Sequence, residues 1–136
     1  MPSKSILLAI RPQDLPLVST ALGSEFEVKI CHTYEEAKAN LKASVGLIAC
    51  GVHFDQGSMF DLLRAAKADP QTCRIPFYLL LGEGTAHSEA VLDGIRKAAK
   101  LLGAVGLTDL SRLRADLGEQ QAYEVLRQTV RQALSI

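Results

Sequence analysis

The chain has no tryptophan, phenylalanine and tyrosine together make up only 5% of it, and cysteine occurs three times, at Cys31, Cys50 and Cys73. An odd number of cysteines with no Cys-x-x-Cys pair supports neither a disulfide framework nor a zinc site, so buried reduced thiols are expected. Charge of one sign is not in excess either: 15 Lys plus Arg balance 15 Asp plus Glu. That balance removes the electrostatic term by which proteins neutralise phosphates, and neither a nucleic-acid nor a membrane partner is expected. No run approaches the roughly 18 to 20 apolar residues that span a bilayer. The opening MPSKSILLAIRPQD reaches a charge too early for a secretory signal, and a cytoplasmic location is expected.

What the sequence does have is 48% apolar and 22% charged residues in 136, the composition of one compact domain covering residues 1–136. Short apolar runs alternate with longer segments of helical period, the pattern of a parallel sheet covered on both faces. Ile6 to Ile10 is apolar throughout, as a strand buried on both sides requires, and Arg11 ends it. Pro12 suits a first helical turn, Leu15, Val18 and Leu22 continue the helix, and Gly23 stops it. Phe26 to Cys31 alternates Val28 and Ile30 with charged residues and reads as a strand near an edge.

Thr33 and Glu36 form a capping box for a helix whose inward face is Tyr34, Ala37 and Leu41. Gly46 to Cys50 is a third strand, followed by a loop from Gly51 to Gly57. Ser58 with Asp61 opens a helix carrying Phe60, Leu63 and Ala66 or Lys67, closed by Asp69-Pro70. Pro76 precedes a fourth strand, Phe77 to Leu81, at a position where proline forfeits no ladder bond. After Gly82-Glu83-Gly84 a helix from about Ser88 to Leu102 is expected to bury Val91, Ile95, Ala98 and Leu102. Ala104 to Leu107 reads as a short fifth strand, and residues 109–136 as a short helix, a break near Gly118 and a longer helix. Five strands with intervening helices predict a single doubly wound, flavodoxin-like α/β domain of strand order 2-1-3-4-5 with right-handed crossovers.

In such a sheet chemistry sits at the carboxyl ends of the strands, beside the switch point between the first and third. The segments Ser58-Met59-Phe60-Asp61-Leu62-Leu63-Arg64, Ala68-Asp69-Pro70-Gln71-Thr72, Arg74-Ile75-Pro76-Phe77 and the Gly103-Ala104 step resemble the bacterial response-regulator receiver family, CheY-like. The order of elements agrees with that family over about residues 4–134. Receivers transfer a phosphoryl group with an acidic pair after the first strand, an Asp ending the third, a Ser or Thr ending the fourth and a Lys ending the fifth. The carboxylates hold Mg²⁺, a hard cation that needs oxygen ligands, while hydroxyl and ammonium hold the phosphoryl oxygens.

The resemblance lays Ile10 and Arg11 on the acidic pair, Gly51 on the phosphoacceptor and Leu81 on the hydroxyl position. It lays Leu110, or Asp109 with a one-residue shift, on the lysine. A guanidinium beside a metal site repels the metal by about 1 to 4 kcal/mol at a few ångströms. The resemblance therefore implies a degenerate pseudo-receiver, not an enzyme, that needs no metal or cofactor. Its expected role is phosphorylation-independent protein interaction in a two-component or related signalling system. The partner would be a histidine kinase, a regulator or a second copy of the chain, with a homodimer through the fourth helix, fifth strand and fifth helix as one form.

Other residues permit different readings. Asp55, four residues past the acceptor position, could be an alternative acceptor, though a loop Asp commonly bonds its own backbone. Asp14 is explained by the dipole of the first helix. His53 lacks a carboxylate spaced to orient it, and His32 and His87 carry less signal still. Cys50, at the end of a buried strand, is expected to be a packed thiol rather than a redox switch. Gly82-Glu83-Gly84 lacks the third glycine of a phosphate loop, because His87 stands there. A sensor of a small anionic ligand or nucleotide that uses Arg11 in the vacated pocket is the alternative from another class, since arginine favours planar anions.

Overall fold

The computed structural model describes residues 5–82 and 89–135. Its strands are β1 (Ser5–Ala9), β2 (Val28–Cys31), β3 (Val45–Gly51), β4 (Phe77–Leu81) and β5 (Gly106–Asp109). Its helices are α1 (Leu15–Leu22), α2 (Tyr34–Ala39), α3 (Met59–Ala68), α4 (Glu89–Leu101), α5 (Leu110–Leu117) and α6 (Glu119–Leu134). All strand pairs are parallel and the sheet order is β2-β1-β3-β4-β5, the doubly wound arrangement that the alternation of elements predicts.

Side chains alternate across the sheet and divide the core in two. Leu7, Ala9, Ile48, Cys50, Phe77 and Leu79 join Ala37 of α2, Leu62, Leu63 and Ala66 of α3, and Leu92 and Ala99 of α4. Ile6, Leu8, Ile10, Leu47, Ala49 and Leu80 join Val18 and Ala21 of α1 and Leu126, Val130 and Ala133 of α6. Because β1, β3 and β4 are covered on both faces, their sequences are apolar throughout; β2, at an edge, keeps Lys29 and Ile30 exposed.

Local chemistry sets most boundaries. Thr33 Oγ1 accepts the Glu36 N–H at 3.1 Å and Glu36 Oε1 accepts the His32 N–H at 3.3 Å, so the expected capping box starts α2. Gly23 (φ 68°) and Gly118 (φ 83°) take left-handed backbone that ends α1 and separates α5 from α6. In α4 the inward stripe is Leu92, Ile95, Ala99 and Leu102, whereas Val91 and Ala98 are exposed. The stripe is turned by one residue from the expected one, because Ala98 and Ala99 both fit helical spacing and only packing against β5 selects between them. β5 also lies later than Ala104 to Leu107: Tyr78 to Leu81 pair with Gly106 to Asp109, so backbone pairing rather than apolarity fixes its span. No described helix is long and apolar enough to cross a membrane.

The last helix is fixed to the start of the chain by packing and by charge. Leu126 is 3% exposed in the α1–α6 core, and Leu126→Ala should lower unfolding stability by about 2–4 kcal/mol, read by urea denaturation. On the surface Arg131 donates from Nη2 to Glu25 at 2.8 Å and from Nη1 to Glu124 at 2.8 Å. These bonds hold both carboxyls below their ordinary range. A depressed carboxylate stabilises the fold above its unfolded pKa, and that contribution disappears as pH falls through the folded value. The difference in melting temperature between wild type and Arg131→Ala should therefore be present near pH 7 and shrink towards about pH 3, and also shrink with added salt.

Candidate functional site

Parallel strands bring the ends of β1, β3, β4 and β5 to one edge of the sheet, beside the switch point between β1 and β3. Ile10, just past β1, is 1% exposed. Gly51 ends β3 and is buried; a Cβ on it would stand 3.4 Å from Ile10 Cγ2, so the space a side chain there would enter is already faced by hydrocarbon. Leu81 ends β4 at 4% exposure. Opposite it, the last residue of β5 is Asp109, which pairs with Leu81. Asp109 turns its carboxylate to the Arg112 N–H at 3.1 Å and caps α5. Leu110 opens α5, is 0% exposed and packs in the same core as Leu8, Ile10 and Leu80.

Beside this apolar tip lies a part-buried ion pair. Asp14, in the 3-10 turn Pro12–Asp14, is 5% exposed. Arg11 clasps it through Nε to Oδ2 at 2.9 Å and Nη2 to Oδ1 at 3.1 Å. The hydrogen bonds to Asp14 raise the Arg11 pKa, and the pair balances its own charge. A Cβ on Gly82 would come 2.9 Å from Asp14 Oδ1, so glycine after β4 is what lets the carboxylate sit there. Ser111 Oγ donates to the Gly82 carbonyl at 3.0 Å and ties α5 to the same point.

These residues do not fit Mg²⁺. Ile10, Gly51 and Leu81 offer no oxygen from a side chain, and the one nearby buried carboxylate is held face to face by a guanidinium. Among the described residues no three His, Cys, Asp or Glu side chains converge closely enough to hold a metal ion.

An open groove of about 500 Å³ adjoins the tip, lined by Arg11, Gln13, His32, His53, Asp55 and Gln56 among others. Asp55 and Gln56 have φ of 39° and 55°, in the left-handed region. That turn aims the Asp55 carboxylate at α2, where Oδ2 accepts the Tyr34 N–H at 2.7 Å. His32 Nδ1 lies 2.9 Å from the Ile10 carbonyl, and Ser58 Oγ donates to the Asp55 carbonyl at 2.8 Å. Ser58 thus precedes α3 without capping it by its side chain, and Asp61 pairs with Arg64 instead. Cys50 is fully buried, and burial pushes its thiol pKa well up, which leaves it inert; Cys31 is buried too, while Cys73 is partly exposed. Glu83, Gly84 and His87 lie outside the described residues.

The sequence had pointed to Arg11 as a lone cation and Asp14 as a helix-start acid. The bidentate pair and the Ser111 tie were missed; the i, i+3 spacing of Arg11 and Asp14 across Pro12 was the available signal for the first. Ser111, 29 positions from Gly82, left none.

No protein-family model matches the sequence, and no match was found among curated proteins. Solved structures do match in fold. The phosphorylated cyanobacterial phytochrome response regulator RcpA superposes with a TM-score of 0.69 at 22% identity, over 94% of this chain and 91% of that one. The Mn²⁺-bound form of response regulator Rcp1 gives 0.64 at 22% identity, over 91% and 89%. A response regulator from Chloroflexus aurantiacus J-10-fl gives 0.68 at 18% identity, over 99% and 100%.

Removing one member of the buried pair should test its weight. Arg11→Ala leaves Asp14 without its counter-charge and should cost about 1–3 kcal/mol. The double variant Arg11→Ala/Asp14→Ala should lose less than the sum of the two single variants, measured by urea denaturation as a double-mutant cycle.

Proposed function

We propose that this receiver-fold domain is a pseudo-receiver: a signal-transduction module that acts by protein contact, without accepting a phosphoryl group. Hydrocarbon and glycine at the strand tips carry this reading. A receiver's chemistry needs carboxylates around a divalent cation, an acceptor Asp, and a hydroxyl and an ammonium on the phosphoryl oxygens. Here Ile10, Gly51, Leu81 and Asp109 stand at those ends, Leu110 packs beneath them, and Arg11 neutralises Asp14. Two of the structures that share its fold are described as phosphorylated and as Mn²⁺-bound, the chemistry that this reading denies to the present chain.

The alternatives have less support. An anion held by Arg11 would have to compete with a bidentate carboxylate 2.9 Å away. A phosphoryl group on Asp55 would have to share a carboxyl that already accepts the Tyr34 N–H at the start of α2. No acid, base and nucleophile set accompanies either residue, so no enzymatic activity is proposed.

Incubation with Mg²⁺ and acetyl phosphate should leave the intact mass unchanged, and Mg²⁺ with beryllium fluoride should not shift the melting temperature. A covalent phosphate, above all one that Asp55→Asn abolishes, would overturn the reading.

A further inference from the structure

β2 is an outer strand of the sheet and, among the described residues, pairs with β1 alone. The Ile6 N–H donates to the Glu27 carbonyl at 2.9 Å and the Ile10 N–H to the Cys31 carbonyl at 3.1 Å, so the backbone of Glu27, Lys29 and Cys31 faces β1. Backbone direction alternates along a strand, which turns the N–H and C=O groups of Val28 and Ile30 to the open edge. Phe26 and Val28 lie half-buried against the α1–α6 core, and Ile30, on the same face, is 38% exposed. Glu27 and Lys29 stand exposed on the other face. Among the described residues neither makes an ion pair, and Lys29 acts on the Cys31 thiol two residues on.

A lysine in an edge strand ordinarily discourages pairing. Here the charges are placed so that the edge complements itself. When two copies run antiparallel with Val28 opposite Val28, Glu27 of each stands across from Lys29 of the other, and Ile30 across from Phe26. The outward backbone of Val28 makes the central pair one that exchanges both hydrogen bonds, and it leaves the two Glu27–Lys29 contacts at the closer, non-hydrogen-bonded positions. Moving the centre by one residue sets Glu27 against Glu27 or Lys29 against Lys29, which like-charge repulsion opposes.

We propose that this chain pairs with a second copy of itself through the β2 edge, antiparallel about Val28, so that two five-stranded sheets become one. Such a contact presents the same patch from both copies, is closed by one two-fold axis and stops at two. It lies at the end of the sheet away from β5 and rests on β2 rather than on the strand tips.

Sedimentation equilibrium of the intact protein over a concentration series tests it. The expected result is a reversible monomer–dimer equilibrium that weakens with added salt. Glu27→Lys and Lys29→Glu should each raise the dimer dissociation constant about tenfold or more, because each sets like charges across the strand pair. Mixing the two single variants should restore association, since every cross-strand charge contact is then between opposite signs. The double variant Glu27→Lys/Lys29→Glu should dimerise like wild type for the same reason. Both positions are exposed, and an unchanged circular-dichroism spectrum would show the variants folded. A monomer at every concentration, a dimer that the single variants leave intact, as one through α4 and β5 would be, or a mixture that fails to associate would overturn the proposal. Phosphoryl transfer would overturn the contact reading and leave this proposal standing, whereas a persistent monomer would do the reverse.

Discussion

Three strands of this sheet are covered on both faces, and that constraint governs everything at their carboxyl ends. A side chain there has no water to solvate it, so it must be apolar or bring its own partner. Ile10 and Leu81 satisfy the first condition, and Leu110 meets it from the start of α5. Asp14 satisfies the second by taking both oxygens to Arg11, while Gly82 leaves it room and Ser111 fixes the backbone beside it. At this edge apolar packing and the Arg11–Asp14 pair stand beside an open polar groove.

The groove beside the tip is shaped by the left-handed turn at Asp55 and Gln56, whose carboxylate caps α2 and so joins the loop after β3 to the loop after β2. On the far edge α4 and β5 leave apolar and cationic groups outside the core.

The α/β class, the strand order and the two-helix ending were legible because burial on both faces writes itself as uninterrupted apolar runs, as in Phe77 to Leu81. The capping box at Thr33 was legible because capping is a contact between near neighbours in the chain. The inward stripe of α4 and the span of β5 were misjudged by one or two residues, since several registers satisfy the same period and only the partner surface chooses among them.

By itself the sequence determined the layered fold and the hydrocarbon or glycine at the ends of β1, β3 and β4, since residue identity along buried strands is enough for both. Tertiary structure decided that Asp55 serves α2 and that Ser111 meets Gly82 across 29 positions. These depend on where separate loops arrive in space, and electrostatic and hydrogen-bond partners act over distances of about 3 Å that no spacing along the chain encodes.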